Sequence, residues 1–215
     1  MSPGIAAALV AGAYLLGSVS FSVVVVRLFQ GLDVRTVGSG NAGATNALRA
    51  AGRKAGAVVL ALDVAKGITA VAVPRALEAP PSIIGGAAVA VVVGHVFPVF
   101  FGFRGGKGVA TSAGALGTLA PAAMAAGVVV FVAVVAWKRY VSLASIVTAA
   151  LMPLLVALSL ELGWVEPDGS ERLLASALIA LIVIAGHGKN LRRLRQGTEP
   201  RLGERRTEPA GQGGE

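Results

Sequence analysis

Cysteine is absent from the 215-residue chain, which excludes a disulfide framework, a thiol nucleophile and thiolate metal sites. Histidine occurs only twice and Asp plus Glu number 11, which argues against a catalytic metal cluster. Charge of either sign is scarce, at 14% of residues. Hydrophobic residues make up 55%, and the mean hydropathy of +0.76 lies above the range of a water-soluble domain. The net charge of +8 does not here imply a nucleic-acid partner, because basic residues in so apolar a chain set membrane orientation.

What is present is a series of uncharged or nearly uncharged runs, at 4–26, 55–73, 82–103, 108–136, 141–160 and 173–186. A span needs about 20 apolar residues, so most of these qualify alone. The first lacks a basic leader segment and reads as a span, not a signal peptide. The run 108–136 would be roughly 44 Å long as one helix, against a hydrocarbon core of about 30 Å. Broken near Pro121 it gives two short helices and seven spans in total. That count puts 16 of the 19 basic residues on one side of the membrane, whereas a single long helix splits them. The positive-inside rule then predicts an all-α, seven-span bundle with its N-terminus out and C-terminus in. Residues 1–196 form the membrane domain. The Gly-, Pro- and charge-rich stretch 197–215 reads as a disordered cytoplasmic tail.

Three cytoplasmic segments carry unusual polarity. In GSGNAGATNALR, 38–49, small residues permit close backbone approach, and Ser39, Asn41, Thr45 and Asn46 are neutral donors. A helix over 42–51 would aim its free N–H groups toward Gly38–Asn41, a geometry suited to an anion, and Arg49 adds a charge. In GHVFPVFFGFRGGKGVAT, 94–111, the centre Gly105-Gly106-Lys107-Gly108 has the character of a phosphate-cradling loop. Gly108 follows the lysine where a Walker A loop requires Ser or Thr, which disfavours a nucleotide triphosphatase. The third segment is split between Ser142–Ser145 and HGKNLRRLRQGTEPR, 187–201, in which His187 and Asn190 share a helical face. Arg192, Arg193 and Arg195 read as orientation charges that contact anionic lipid. Within the second span, Asp63 and Lys66 are spaced to form an ion pair that ties helices together, and His95 reads as a structural hydrogen-bonder.

Outside the tail, the predicted cytoplasmic loops hold one carboxylate, Asp33, so no acidic pair is available for acid–base work. Neither histidine has an Asp five positions on, and the clustered aspartates of a CDP-alcohol phosphotransferase are missing. What remains is a site of Gly, amide, hydroxyl and cationic donors, suited to phosphate oxyanions.

At these motifs the sequence resembles the bacterial membrane glycerol-3-phosphate acyltransferases that use acyl phosphate, the PlsY family. The resemblance runs in order from about residue 5 to 201. It implies acyl transfer from acyl phosphate to the 1-hydroxyl of glycerol 3-phosphate, giving lysophosphatidic acid and phosphate in phospholipid synthesis. It also implies a multi-pass protein of the bacterial inner membrane, monomeric, without cofactor or nucleic-acid partner, and with its site facing the cytoplasm. The family's roles map as catalytic onto Ser39, Arg49, Lys107, His187 and Asn190. They map as substrate-binding onto Gly38, Asn41, Thr45, Asn46, Gly105, Gly106, Gly108, Ser145 and Glu199, the middle three glycines in the loop tied to glycerol 3-phosphate. Where the family pattern ends in Lys this chain has Arg201.

Two proton routes follow: transfer to a substrate phosphate oxygen, or to His187 as general base. A small-anion transporter is the competing class. It is disfavoured because the polar motifs gather at one face and no internal repeat is visible. A purely structural lipid-binding module leaves the glycine-rich loops unexplained.

Overall fold

A computed structural model describes residues 1–164 and 169–203. Those residues form helices and connecting turns, with no strand. The helices are α1 (Pro3–Gly17), α2 (Phe21–Gln30), α3 (Ala44–Ala76), α4 (Pro81–Val96), α5 (Val109–Leu119), α6 (Pro121–Lys138), α7 (Val141–Glu161), α8 (Gly169–Gly186) and α9 (Gly188–Arg195). Six segments are long and apolar enough to cross a membrane, the first comprising α1 and α2 together, and α5 is a shorter apolar helix.

Proline punctuates the bundle. Pro3, Pro81 and Pro121 each open a helix, where the missing N–H has no intrahelical partner to lose. The break between α5 and α6 falls at Ala120, whose φ of −145° and ψ of 74° leave the helical region as expected before a proline. The α1–α2 break has no proline and needs another explanation. Lys66 Nζ reaches it from α3 and donates to the carbonyls of Gly17 at 3.0 Å and Val19 at 2.9 Å. Carbonyls freed inside a membrane bundle must find donors within the protein, and this lysine supplies two bonds. Its charge is matched by Asp63 at 3.0 Å, which also lies 3.5 Å from His95 Nδ1. The ion pair therefore ties α3 to the kink of the first span.

Glycine sets the closest helix contacts. A Cβ at Gly67 of α3 would collide with the Thr111 carbonyl of α5, and one at Gly114 of α5 with the Val64 carbonyl of α3. Gly17 and Gly94 do the same for α1 against α4. Such small-residue crossings let backbones approach where lipid offers no hydrophobic drive between helices. The buried core includes Val91, Val92, Val156 and Ile179. Helix α6 is peripheral: it packs on α7 and α5, and buries only Ala123 and Gly127.

Residues 197–203, placed in a disordered tail on composition, are docked on the bundle. Leu202 N–H donates to the Arg139 carbonyl at 2.6 Å, and Arg139 Nη2 donates back to the Leu202 carbonyl at 2.9 Å. Arg201 Nε donates to Tyr140 Oη at 3.3 Å and its guanidinium stacks on that ring. The anchoring partners lie about sixty residues upstream, which is why composition did not reveal them. The remainder of the expected tail, 204–215, lies outside the described residues.

Candidate active site

One cavity of about 630 Å³ joins the three polar segments. It is lined by polar side chains including Ser39, Asn41, Thr45, Arg49, Lys107, His187, Asn190, Arg193 and Glu199, by Gly108, by apolar ones including Leu116, Met124, Val128, Phe131, Met152 and Ile179, and by the buried Asp63 and His95. Lys107, Arg49 and His187, from three distant parts of the chain, thus share one space. Helices α3 and α6 face each other across it without extensive contact. Leu60 of α3 and Val128 of α6 line the cavity yet are half exposed, so the space opens sideways between these helices.

The glycine loop presents Lys107. Gly106 N–H donates to the His95 carbonyl at 3.1 Å and Gly105 N–H to the Val96 carbonyl at 3.2 Å. A Cβ at Gly105 would overlap the His95 carbonyl, and one at Gly106 the His95 ring and the Ala42 carbonyl. These two glycines are backbone fillers behind the lysine and do not line the cavity. Gly108 precedes α5 at φ +80°, a left-handed turn that an L side chain would strain. The stem of Lys107 crosses the end of α8, its Cα lying 3.6 Å from where a Gly186 Cβ would stand.

From Lys107 a polar chain runs across α9 to the docked segment. The Lys107 ammonium donates to Asn190 Oδ1. Asn190 Nδ2 donates to Glu199 Oε1 at 2.6 Å, and Arg193 Nε to Glu199 Oε2 at 2.6 Å. Burial works to raise the Glu199 pKa but is outweighed by donors from Ser142, Arg193 and Asn190, so the carboxyl sits below its ordinary value and is ionised. Burial pushes Lys107 down to about 8, with Glu199 opposing and the charges of Arg193 and Arg49 assisting. Burial likewise lowers His187 to about 4. His187 Nδ1 lies 2.7 Å from the Val183 carbonyl, which can only accept, so Nδ1 carries the proton and Nε2 keeps its lone pair. The imidazole is neutral at pH 7.

Not every expected group is free. Asn46 is stapled: Oδ1 accepts from Ser39 N–H at 2.9 Å, and Nδ2 donates to the carbonyls of Val34 and Val37 at 2.8 and 3.0 Å. It shapes the 34–46 loop, and Gly38, at φ +59°, packs against its side-chain oxygen. Ser145 Oγ donates to the Val141 carbonyl at 2.9 Å, one turn back on α7. Arg49 makes no hydrogen bond or ion pair among the described residues and is available to an anion. Arg193, read from sequence as an orientation charge, instead clamps Glu199 on the cavity wall. Its spacing of three from Asn190 was the available signal.

The comparisons with known proteins bear on this site. The family model described as glycerol-3-phosphate acyltransferase matches residues 7–197. The chain belongs to that family. A glycerol-3-phosphate acyltransferase of Halalkalibacterium halodurans is 43% identical over 202 residues, covering 92% of this chain and 96% of the relative. A glycerol-3-phosphate acyltransferase 2 of Moorella thermoacetica is 45% identical over 193 residues, covering 90% and 95%. A crystal structure of PlsY, described as an integral membrane glycerol 3-phosphate acyltransferase in its glycerol 3-phosphate form, superposes with a TM-score of 0.83 at 39% identity, covering 92% of this chain and 96% of that one. Its lysophosphatidic acid form gives 0.82 at 38% identity. This chain is therefore an integral membrane acyltransferase of the PlsY family, and the cavity is its candidate active site.

Proposed function

We propose that this acyltransferase moves a fatty acyl group from acyl phosphate to the 1-hydroxyl of glycerol 3-phosphate at the cytoplasmic face of the bacterial inner membrane. The observation that carries the reading is the continuity of one cavity from a cationic mouth to apolar walls open toward lipid between α3 and α6. An acyl phosphate is matched at both ends: its chain enters from the leaflet while its phosphate meets Lys107, Arg49 and the N–H groups at the start of α5. The second anion, glycerol 3-phosphate, shares that mouth, where the cations offset the repulsion between the two phosphates.

The hydroxyl oxygen forms a bond to the acyl carbon, the carbon–oxygen bond to phosphate breaks, and phosphate departs with the electron pair. The hydroxyl proton needs an acceptor. His187, at about 4, is a weaker base than a phosphate monoester dianion, whose second pKa is about 6. That difference favours a substrate phosphate oxygen as acceptor, with His187 Nε2 orienting the hydroxyl. Asn190 and Glu199 hold Lys107 in place. Ser39, Asn41 and Thr45 line the rim where the polar head of glycerol 3-phosphate sits.

The topology belongs to the same proposal. Counting α5 as a span gives seven, with the N-terminus outside and the site inside, acting as a monomer without cofactor. Because the chain has no cysteine, single cysteines report the orientation directly. An impermeant thiol reagent on intact cells labels Glu78→Cys and spares Lys189→Cys; the reverse pattern contradicts the orientation. For the activity, purified protein is mixed with acyl phosphate and labelled glycerol 3-phosphate and scored for lysophosphatidate. Equal or better turnover with acyl-CoA or acyl carrier protein would remove acyl phosphate as the donor.

A further inference from the structure

Helical hydroxyls in this bundle habitually donate to the carbonyl one turn back. Ser18 does so to Tyr14, Thr69 to Ala65, Thr118 to Gly114 and Ser145 to Val141, all at 2.9–3.0 Å. Ser112 of α5 and Thr148 of α7 do not. Neither hydroxyl has a hydrogen-bond partner among the described residues, although the residues are only 6% and 8% exposed. Both line the cavity. Ser142, the third such hydroxyl on its wall, has the Glu199 carboxylate beside it as an acceptor. Ser112 and Thr148 have no equivalent. An orphaned buried hydroxyl is unfavourable and asks what it is kept for.

Position supplies the answer. Along α5 the cavity is lined by Gly108, Val109, Ala110, Ser112, Ala113 and Leu116, and Ser112 is the hydroxyl among them, one turn beyond Gly108. Helical side chains lean toward the N-terminus, and Ser112 Oγ lies 3.8 Å from where a Gly108 Cβ would stand. The hydroxyl therefore sits just inside the glycine loop, near the start of α5, on a wall that also carries Asp63 and His95, with Leu116 one turn deeper. On α7 the order repeats as Ser145, Thr148, Met152. The Thr148 methyl packs toward Gly127 of α6, which leaves Oγ1 as the free polar atom.

An acyl phosphate presents phosphate, carbonyl and alkyl chain in the same order as these helices present cations, hydroxyls and apolar side chains. We infer that Ser112 Oγ, assisted by Thr148 Oγ1, donates a hydrogen bond to the acyl carbonyl oxygen and stabilises the negative charge that builds on it. As the glycerol hydroxyl bonds to the acyl carbon, the carbonyl π pair moves onto this oxygen. It returns when phosphate leaves, while the hydroxyl proton passes to a phosphate oxygen. This assignment rests on the acyl-phosphate reading above and names the oxyanion donors that reading lacks.

Steady-state kinetics with acyl phosphate and glycerol 3-phosphate test it in Ser112→Ala, Thr148→Val and the double variant. Ser112→Ala is expected to lower kcat roughly 10–100-fold with both KM values within about twofold, and Thr148→Val to lower it about threefold to tenfold. Ser112→Thr keeps a hydroxyl and restores most of the rate. No protein hydrogen bond is lost, so the thermal midpoint stays level or rises. A wild-type kcat in Ser112→Ala and the double variant overturns the inference while leaving the substrate reading intact. A lowered midpoint with no rescue by Thr assigns Ser112 a structural role and overturns it too. Wild-type protein that makes no lysophosphatidate from acyl phosphate overturns the substrate reading and the inference with it.

Discussion

Two charge clusters in this protein, one buried and one partly exposed at the cavity, differ in whether their charges balance. In the first, Lys66 meets the Asp63 carboxylate and two backbone carbonyls, and His95 Nδ1 is also 3.1 Å from Thr111 Oγ1. One ammonium faces one carboxylate, and the lysine's donors are used within the fold. In the second, Arg193 bonds the Glu199 carboxylate, Lys107 reaches it through Asn190, and Arg49 lines the same cavity, beside a neutral imidazole. That cluster carries two surplus positive charges facing a cavity. The first, whose ammonium and carboxylate balance, ties α3 to the kink of the first span; the second leaves surplus positive charge facing the cavity.

Variants should separate the two. Lys107→Met is expected to lower kcat/KM by roughly 10³-fold or more in the acyl-transfer assay, while the protein still purifies folded. Lys66→Met leaves Asp63 buried without its partner and should lower stability by about 3–5 kcal/mol in detergent unfolding, a loss the paired change Asp63→Leu with Lys66→Met partly reverses. If Lys66→Met instead left stability alone and removed activity, the distinction between the clusters would collapse. The pH profile gives a smaller and graded effect. Lys107 is protonated below about 8 and loses its charge above it, so kcat/KM should fall up to tenfold per pH unit beyond pH 8. His187 is already neutral well below pH 7, so the acid limb should follow the substrate phosphate near 6 and not the histidine. His187→Gln is expected to have the mildest effect, about tenfold or less in kcat, because an amide can still orient the hydroxyl. A loss of the chemical step with substrate binding intact would make His187 the base.

Much of this site was legible in sequence because its residues are chemically anomalous where they stand. Glycines around a lysine at a membrane exit, and a histidine and amide three residues apart after the last span, stand out against apolar helices. Asn46 and Ser145 were legible as polar but not as satisfied: their bonds go to Val34, Val37 and Val141, which no composition reveals. Arg193 was hidden among other arginines, and Ser112 among the small residues of α5.

Composition and charge bias alone established a helical membrane bundle, the break at Pro121 and the common side of the polar motifs. These follow from local causes, namely the span length lipid demands, proline's missing N–H and the placement of Lys and Arg. Only the tertiary structure decided which hydroxyls remain unpaired, that Glu199 folds back onto Lys107 through Asn190, and that α3 and α6 stand apart across the cavity. Each of those depends on contacts between residues tens of positions apart, where glycine crossings and side-chain volume set how closely helices meet.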